Sequence, residues 1–232
     1  MPASEFVKAF FLFDGLNSKM LPEEMADTLK SFIATENLYS SATREIATKF
    51  ENLNNEFKYT HDRNPIKHIQ TRVKTPSSIV SKLIRNGWEI SVESARKNLT
   101  DIAGVRVICS YINDIYMIAG LLLSQDDITL VRRSDYIKNP KANGYRSLHL
   151  IVTVPVFLST KVERVNVEIQ IRTIAMDFWA SLEHELAYKL TDQKKASISK
   201  KLKDCADEIS DIDKRMQKLY NTTIESHDKI PE

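Results

Sequence analysis

Twice between residues 148 and 172 the chain alternates with a period of two. Leu148, Leu150, Val152 and Val154 alternate with Ile151 and Thr153. Val165, Val167, Ile169 and Ile171 alternate with Asn166, Glu168, Gln170 and Arg172. Side chains of a strand point to opposite faces in turn, so this period specifies β-structure. The first segment reads as a half- or fully buried strand. The second carries Glu168, Gln170 and Arg172 on the face opposite its apolar set. Further strands are predicted at Ile102–Cys109 and Ile128–Arg132, and helices at Asn113–Leu123 and Thr173–Leu190. Strands and helices interleave from 61 to 192, the pattern of an α+β or α/β class, and an α+β class with a mixed central β-sheet flanked by helices is expected.

Helical patterns bracket that zone. Residues 1–60 form a predicted N-terminal helical extension, in which Ala42, Ile46, Phe50, Leu53 and Phe57 recur at spacings of three and four. Ser4 is a candidate cap for a short helix through Leu16, and Leu21-Pro22-Glu23-Glu24 has the chemistry of a second helix start. Residues 193–232 are the predicted C-terminal heptad helix. There Ile198, Leu202, Cys205, Ile209, Ile212, Met216 and Leu219 are spaced 4, 3, 4, 3, 4, 3. Such a seam needs an apolar partner, either its own domain or another subunit.

The net charge of +2, from 33 basic and 31 acidic residues, gives a weak overall field, so anion affinity must come from local clusters. Two cysteines, Cys109 and Cys205, make no disulfide framework. The start Met-Pro-Ala-Ser-Glu-Phe is unlike a signal peptide, and no apolar run approaches the length of a membrane span. A cytoplasmic protein with no membrane partner is expected.

One such cluster lies on the helix that Thr75-Pro76 begins, with a hydroxyl at the cap and proline at the first helical position. At about 100° per residue, Ser78, Lys82 and Arg85 fall within roughly 80° of Lys74, while Ile79, Val80 and Leu83 fall opposite. Cations on one stripe without an acid repel each other. Polyphosphate would compensate them, and so would plain solvation. Asp101 and Glu168 are candidate magnesium ligands, because that ion takes one or two carboxylates plus substrate phosphates. A carboxylate beside a hydroxyl can also act as general base. Asp101 and Arg106 are five residues apart, which puts them on opposite faces of a regular strand; a bulge at Gly104 is one way to restore a common side. Asn139-Pro140-Lys141-Ala142-Asn143-Gly144 is turn chemistry leading into Tyr145, Ser147 and His149 on a shared face. A ring and an imidazole beside Lys138 and Lys141 suit a purine nucleotide.

Taken in order, these segments resemble the RelA/SpoT synthetase family. The resemblance rests on Arg72-Val73-Lys74-Thr75-Pro76-Ser77-Ser78, Asp101-Ile102-Ala103-Gly104-Val105-Arg106, Asp135-Tyr136-Ile137-Lys138, Asn139 through His149, Val167-Glu168-Ile169-Gln170-Ile171-Arg172-Thr173 and Phe178-Trp179-Ala180-Ser181-Leu182-Glu183-His184. They span about 110 residues, roughly half of the chain. The resemblance implies a nucleotidyltransferase-like synthetase domain that moves pyrophosphate from ATP to the ribose 3′-hydroxyl of GTP or GDP. It implies that Arg72 and Arg106 stack on adenine, and that Lys74, Ser78, Lys82 and Arg85 hold the ATP phosphates. Asp101 and Glu168 would bind Mg2+, with Glu168 taking the 3′-hydroxyl proton. Tyr145 would stack on guanine, with Lys138, Lys141, His149 and Gln170 about the acceptor nucleotide. The chain looks like a small, synthetase-only member, and such members form homotetramers through terminal helices.

Ser134 stands where the family often carries a basic residue, and Asp177 where some members have an amide, which leaves its role open. His61-Asp62 reads as a loop dipeptide. Two competing readings use the same residues. One is a non-catalytic nucleotide sensor or single-stranded RNA binder. The other is an enzyme transferring a nucleoside monophosphate.

Overall fold

The computed structural model describes residues 23–189 and 192–227. The predicted helix from Ser4 to Leu16, and the Leu21-Pro22 start of the next, lie outside them. In chain order the described elements are α1 (Glu23–Thr60), β1 (Ile66–Val73), α2 (Pro76–Arg85), α3 (Val92–Asn98), β2 (Ala103–Cys109), α4 (Ile112–Leu123), β3 (Thr129–Asp135), β4 (Leu148–Phe157), β5 (Val162–Thr173), α5 (Ile174–Lys189) and α6 (Asp192–His227).

The strands form one sheet in the order β1-β2-β5-β4-β3. β2 and β5 are parallel and the other neighbours antiparallel, so the sheet is mixed, as expected. The two alternating segments are partners: Leu150 pairs with Ile169, Val152 with Val167 and Val154 with Val165. Together with Val105 and Val107 these side chains make one apolar face. It shares a core with Phe32, Ile46 and Phe50 of α1, Ile79 and Leu83 of α2, and Ile115, Ile118 and Leu122 of α4. Fully burying each such side chain contributes about 1.5–3 kcal/mol relative to leaving it exposed. The opposite face of β1, β2 and β5 opens into a cleft.

Two elements were not foreseen, the edge strand β1 and the short helix α3, which Ser91 caps by accepting from the Ser94 amide at 3.1 Å. The Gly104 bulge is absent. Pairing runs unbroken through Gly104 on both sides, to Arg72 on β1 and to Glu168 on β5. Asp101 instead lies two residues ahead of β2, outside the ladder, so strand parity with Arg106 does not apply to it.

α6 does not bury its heptad seam. The residues it buries are Ala206, Ser210, Asp213 and Gln217. Leu202 and Ile209 pack partly against Trp179 and Ala180, but Ile212 is 56% exposed, Met216 48% and Leu219 64%. Polar ties hold the helix down. Thr173 Oγ1 donates to Asp213 at 2.7 Å, the Asn113 amide to Gln217 at 2.9 Å, and Arg63 Nε to the Tyr220 hydroxyl at 2.8 Å. Among the described residues no helix is long and apolar enough to cross a membrane.

Candidate active site

Strand register aligns the candidate residues in two rows across the sheet. One row runs Arg72, Gly104, Glu168, Ile151; the next runs Gln70, Arg106, Gln170, His149. The first three of each row line a cleft of about 580 Å³, with Lys74 and Asp101 at its side. Gly104 is what leaves the floor open between Arg72 and Glu168. A Cβ there would stand 3.7 Å from the Arg72 carbonyl oxygen, an ordinary contact, so the backbone does not require glycine but the cleft gains from it.

At one side, Thr75 caps α2 by accepting from the Ser78 amide at 3.3 Å, with Pro76 in the first turn. The helix buries Ile79, Val80 and Leu83, which turns Lys82 and Ser78 outward as the angular reading required. Lys74 Nζ lies 2.9 Å from Asp101 Oδ2, and Lys82 Nζ lies 2.9 and 2.8 Å from the two carboxylate oxygens. The stripe thus has an internal acid that sequence reasoning placed elsewhere. Burial pushes the Asp101 carboxyl up, but hydrogen bonds from Lys82 and Lys74 outweigh it and hold the group below its ordinary range. Ser78 shares a hydrogen bond with Thr75 Oγ1 at 2.9 Å. Arg85 occupies the exposed last turn of α2, one turn beyond Lys82.

Glu168 sits between the two halves of the site. His149 Nδ1 lies 3.3 Å from its Oε1, and Gln170 Nε2 donates to its Oε2 at 3.0 Å. Burial raises its carboxyl and the His149 hydrogen bond more than offsets this, so the group lies below the ordinary glutamate range; Asp101 is near enough to oppose that lowering. Tyr145 OH is 2.8 Å from His149 Nε2, and Arg172 Nη2 donates to the same hydroxyl. A chain of contacts thus runs from Arg172 through the Tyr145 hydroxyl and the His149 ring to the Glu168 carboxylate.

The turn that carries Tyr145 is tightly fixed. Gly144 has φ of +91°, and a Cβ there would lie 2.5 Å from the Ala206 Cβ, so only glycine fits. Arg146 ties the turn to α6, donating to the carbonyls of Gly144 at 3.0 Å and Ala206 at 3.2 Å and to Asp207 Oδ1 at 3.0 Å. Lys141 Nζ stands 4.8 Å from the Tyr145 ring centre and 4.7 Å from that of Tyr136. Lys138 departs from this group and lies over the Tyr116 ring at 5.5 Å. Ser147, expected beside Tyr145 and His149, is fully buried with its hydroxyl on the Ile171 carbonyl at 3.3 Å.

Three groups stand in the sequence motifs with no role assigned to them there. Tyr136 packs edge-on to His149 at 5.1 Å, walling the acceptor side. Arg172, almost wholly buried, holds Gln170 Oε1 at 2.8 Å as well as Tyr145. Asp177, in the first turn of α5, pairs with Arg172 at 3.1 Å and with Arg106 at 3.5 Å. The parity of Arg172 with Glu168 and Gln170 was the available signal for one of them.

No group of three or more metal-ligating side chains occurs among the described residues. Asp101 and Glu168, both held ionised beside the cleft, are the donor pair that a hard divalent cation would share with a polyphosphate.

Comparison with known proteins identifies the lineage. A family model described as a region found in RelA / SpoT proteins matches residues 71–193. GTP pyrophosphokinase YwaC of Bacillus subtilis (strain 168) is 47% identical over 179 residues, 77% of this chain and 85% of that protein. The crystal structure of small alarmone synthetase 2 from Bacillus subtilis is 42% identical, with a TM-score of 0.72 over 82% of this chain and 98% of that one. That of small alarmone synthetase 1 from the same organism, bound to its product pppGpp, is 32% identical, with a TM-score of 0.75 over 84% of this chain and 98% of that one. The motifs that line the cleft thus fall in a shared fold and in shared sequence, and the chain belongs to the RelA/SpoT family.

Proposed function

We propose that this chain is a GTP/GDP pyrophosphokinase that moves the β,γ-pyrophosphate of ATP to the ribose 3′-hydroxyl of GTP or GDP, making the guanosine alarmones of the stringent response. The observation that carries the reading is the position of Glu168. It faces the Asp101 and lysine cluster on one side and is bonded to His149 and Gln170 on the other. A base between a phosphate-binding and a base-stacking half-site is what transfer between two nucleotides needs. The naming of relatives as GTP pyrophosphokinases, and a neighbour crystallised with pppGpp, support the same assignment.

In this mechanism Arg72 and Arg106 flank adenine, and Lys74, Ser78, Lys82 and Arg85 take the ATP phosphates. The lysines exchange Asp101 for phosphate oxygens when ATP enters. Tyr145 stacks on guanine, and Lys141, His149 and Gln170 hold the acceptor. Glu168 accepts the 3′-hydroxyl proton as O3′ bonds to the β-phosphorus; the bond from that phosphorus to the α,β-bridging oxygen breaks, and AMP leaves. Magnesium held by Asp101 and Glu168 would neutralise charge on the polyphosphate as it transfers. The catalytic unit is residues 61–192, with the helical extension of 1–60 before it and the oligomerising helix of 193–232 after it, in a cytoplasmic homotetramer. Single-stranded RNA is the alternative occupant of the basic stripe, and RNA that competes with ATP would place it there.

Glu168→Gln keeps the shape of the site and removes the base. Turnover should fall by about 10²–10⁴-fold, with an unchanged melting temperature. Undiminished product from that variant would remove Glu168 from the chemistry.

A further inference from the structure

Two arginines from the two halves of the site meet on a single carboxylate. Arg106 lies on the donor side and Arg172 beneath the acceptor side, yet Asp177 Oδ1 lies 3.5 Å from one and 3.1 Å from the other. The two guanidiniums are close enough to repel, and burial together with that repulsion lowers Arg106 from its ordinary value. Nε of both arginines is buried without a hydrogen-bond partner, so neither cation is held by a full set of acceptors. The Arg172 side chain is 5% exposed, and a cation so buried needs a compensating charge. Asp177 supplies it, from the first turn of α5, immediately after β5.

The consequences run outward from this carboxylate. Arg172 fixes the Tyr145 hydroxyl and Gln170, and Gln170 in turn donates to Glu168. Arg106 also reaches Gln70 across the strand pair at 3.4 Å. Ordering Arg106 against a bound base therefore orders Asp177, and through it Arg172, Tyr145 and Gln170. We propose that Asp177 is a positioning residue that couples the donor and acceptor subsites, so that the first nucleotide to bind leaves less of the site to be ordered by the second. The assignment of the two subsites rests on the pyrophosphokinase reading; the coupling itself is measurable without turnover.

The test is calorimetric binding of a non-hydrolysable ATP analogue, alone and with saturating GDP, to the full chain with magnesium. The wild type should bind the analogue about fivefold or more tightly when GDP is present, the lower end of ordinary coupling. Asp177→Asn should bring that factor close to one and raise KM for ATP and for GDP together, whereas a purely structural loss would lower kcat and the melting point without changing the ratio. Asp177→Glu, which keeps the charge, should recover most of the coupling. If Asp177→Asn does not fold, Arg106→Gln leaves the carboxylate in place and should abolish the coupling equally. Independent binding in the wild type, or coupling that survives in either neutral variant, would overturn the proposal. A wild type that couples the nucleotides but forms no 3′-pyrophosphorylated product would instead count against the enzymatic reading alone.

Discussion

At the residue scale the most informative position carries no side chain. A bulge at Gly104 is one way for Asp101 and Arg106, five residues apart, to reach one cleft. The ladder is regular there, and Asp101 reaches the cleft from the loop before the strand. Glycine serves instead as an open tile between Arg72 and Glu168. Valine suits a strand better than glycine, and a Cβ meets only ordinary contacts, so Gly104→Val should fold at least as stably. Its branches would stand in the nucleotide cleft, and KM for ATP should rise by about tenfold or more, equivalent to about 1.4 kcal/mol of lost binding. Steady-state kinetics with a parallel thermal melt checks this, and an unchanged KM would mean that the floor of the cleft is not part of the ATP site.

Elements differed in how plainly the sequence announced them. β4 and β5 were legible because their apolar alternation is buried in the sheet interior. β1 was not, because it is an edge strand whose apolar residues Ile66, Ile69 and Val73 fall at spacings of three and four, a helical rhythm. Its exposed residues Lys67, His68 and Arg72 are the kind that discourage edge-to-edge pairing. The basic stripe of α2 was legible from helical angle alone, but its internal partner Asp101 was not, since that contact joins residues 19 and 27 apart in sequence. α6 was half legible. Its seam stood out as hydrophobic, whereas the face it buries is Ala206, Ser210, Asp213 and Gln217, mostly polar and so silent to any hydrophobic pattern. That face is anchored by specific partners. Arg63 forms two hydrogen bonds to the buried Asp114 carboxylate and lies against Tyr111 and Tyr220, whose stacked rings have centres 4.3 Å apart. Arg63→Ala would leave Asp114 as an uncompensated buried charge and should cost about 3–5 kcal/mol in chemical denaturation. Adding Asp114→Asn should recover part of that loss; no recovery would locate the damage in packing.

On the scale of the whole molecule, α6 has two faces with two tasks. One grips the catalytic domain, reaching the Gly144 turn through Ala206 and Asp207. The other exposes Ile212, Met216 and Leu219, and an apolar groove of about 590 Å³ lies where Ile212 and Met216 approach Ile174 and Phe178 of α5. The homotetramer proposed above would cover the seam that a lone subunit leaves bare. Met216→Glu should convert the assembly to smaller species by light scattering while leaving each subunit folded. A wild type that is monomeric at micromolar concentration would rule that assembly out. Family membership and the α+β class could be read from the chain's ordered motifs, and six of the candidate site residues, Arg72, Lys74, Asp101, Arg106, Glu168 and Gln170, line one cleft. What could not were the contacts made by distant residues: Asp177 between two arginines, Tyr136 against His149, and Gly144 under α6.

The central claim is transfer of an intact pyrophosphate to guanosine, and the label of choice is the γ-phosphate of ATP. Incubation with GDP and magnesium, followed by separation and mass analysis, should give unlabelled AMP and a labelled guanosine nucleotide heavier by one pyrophosphate at the 3′-position. Label confined to inorganic phosphate or pyrophosphate, or a guanosine product carrying AMP, would contradict it.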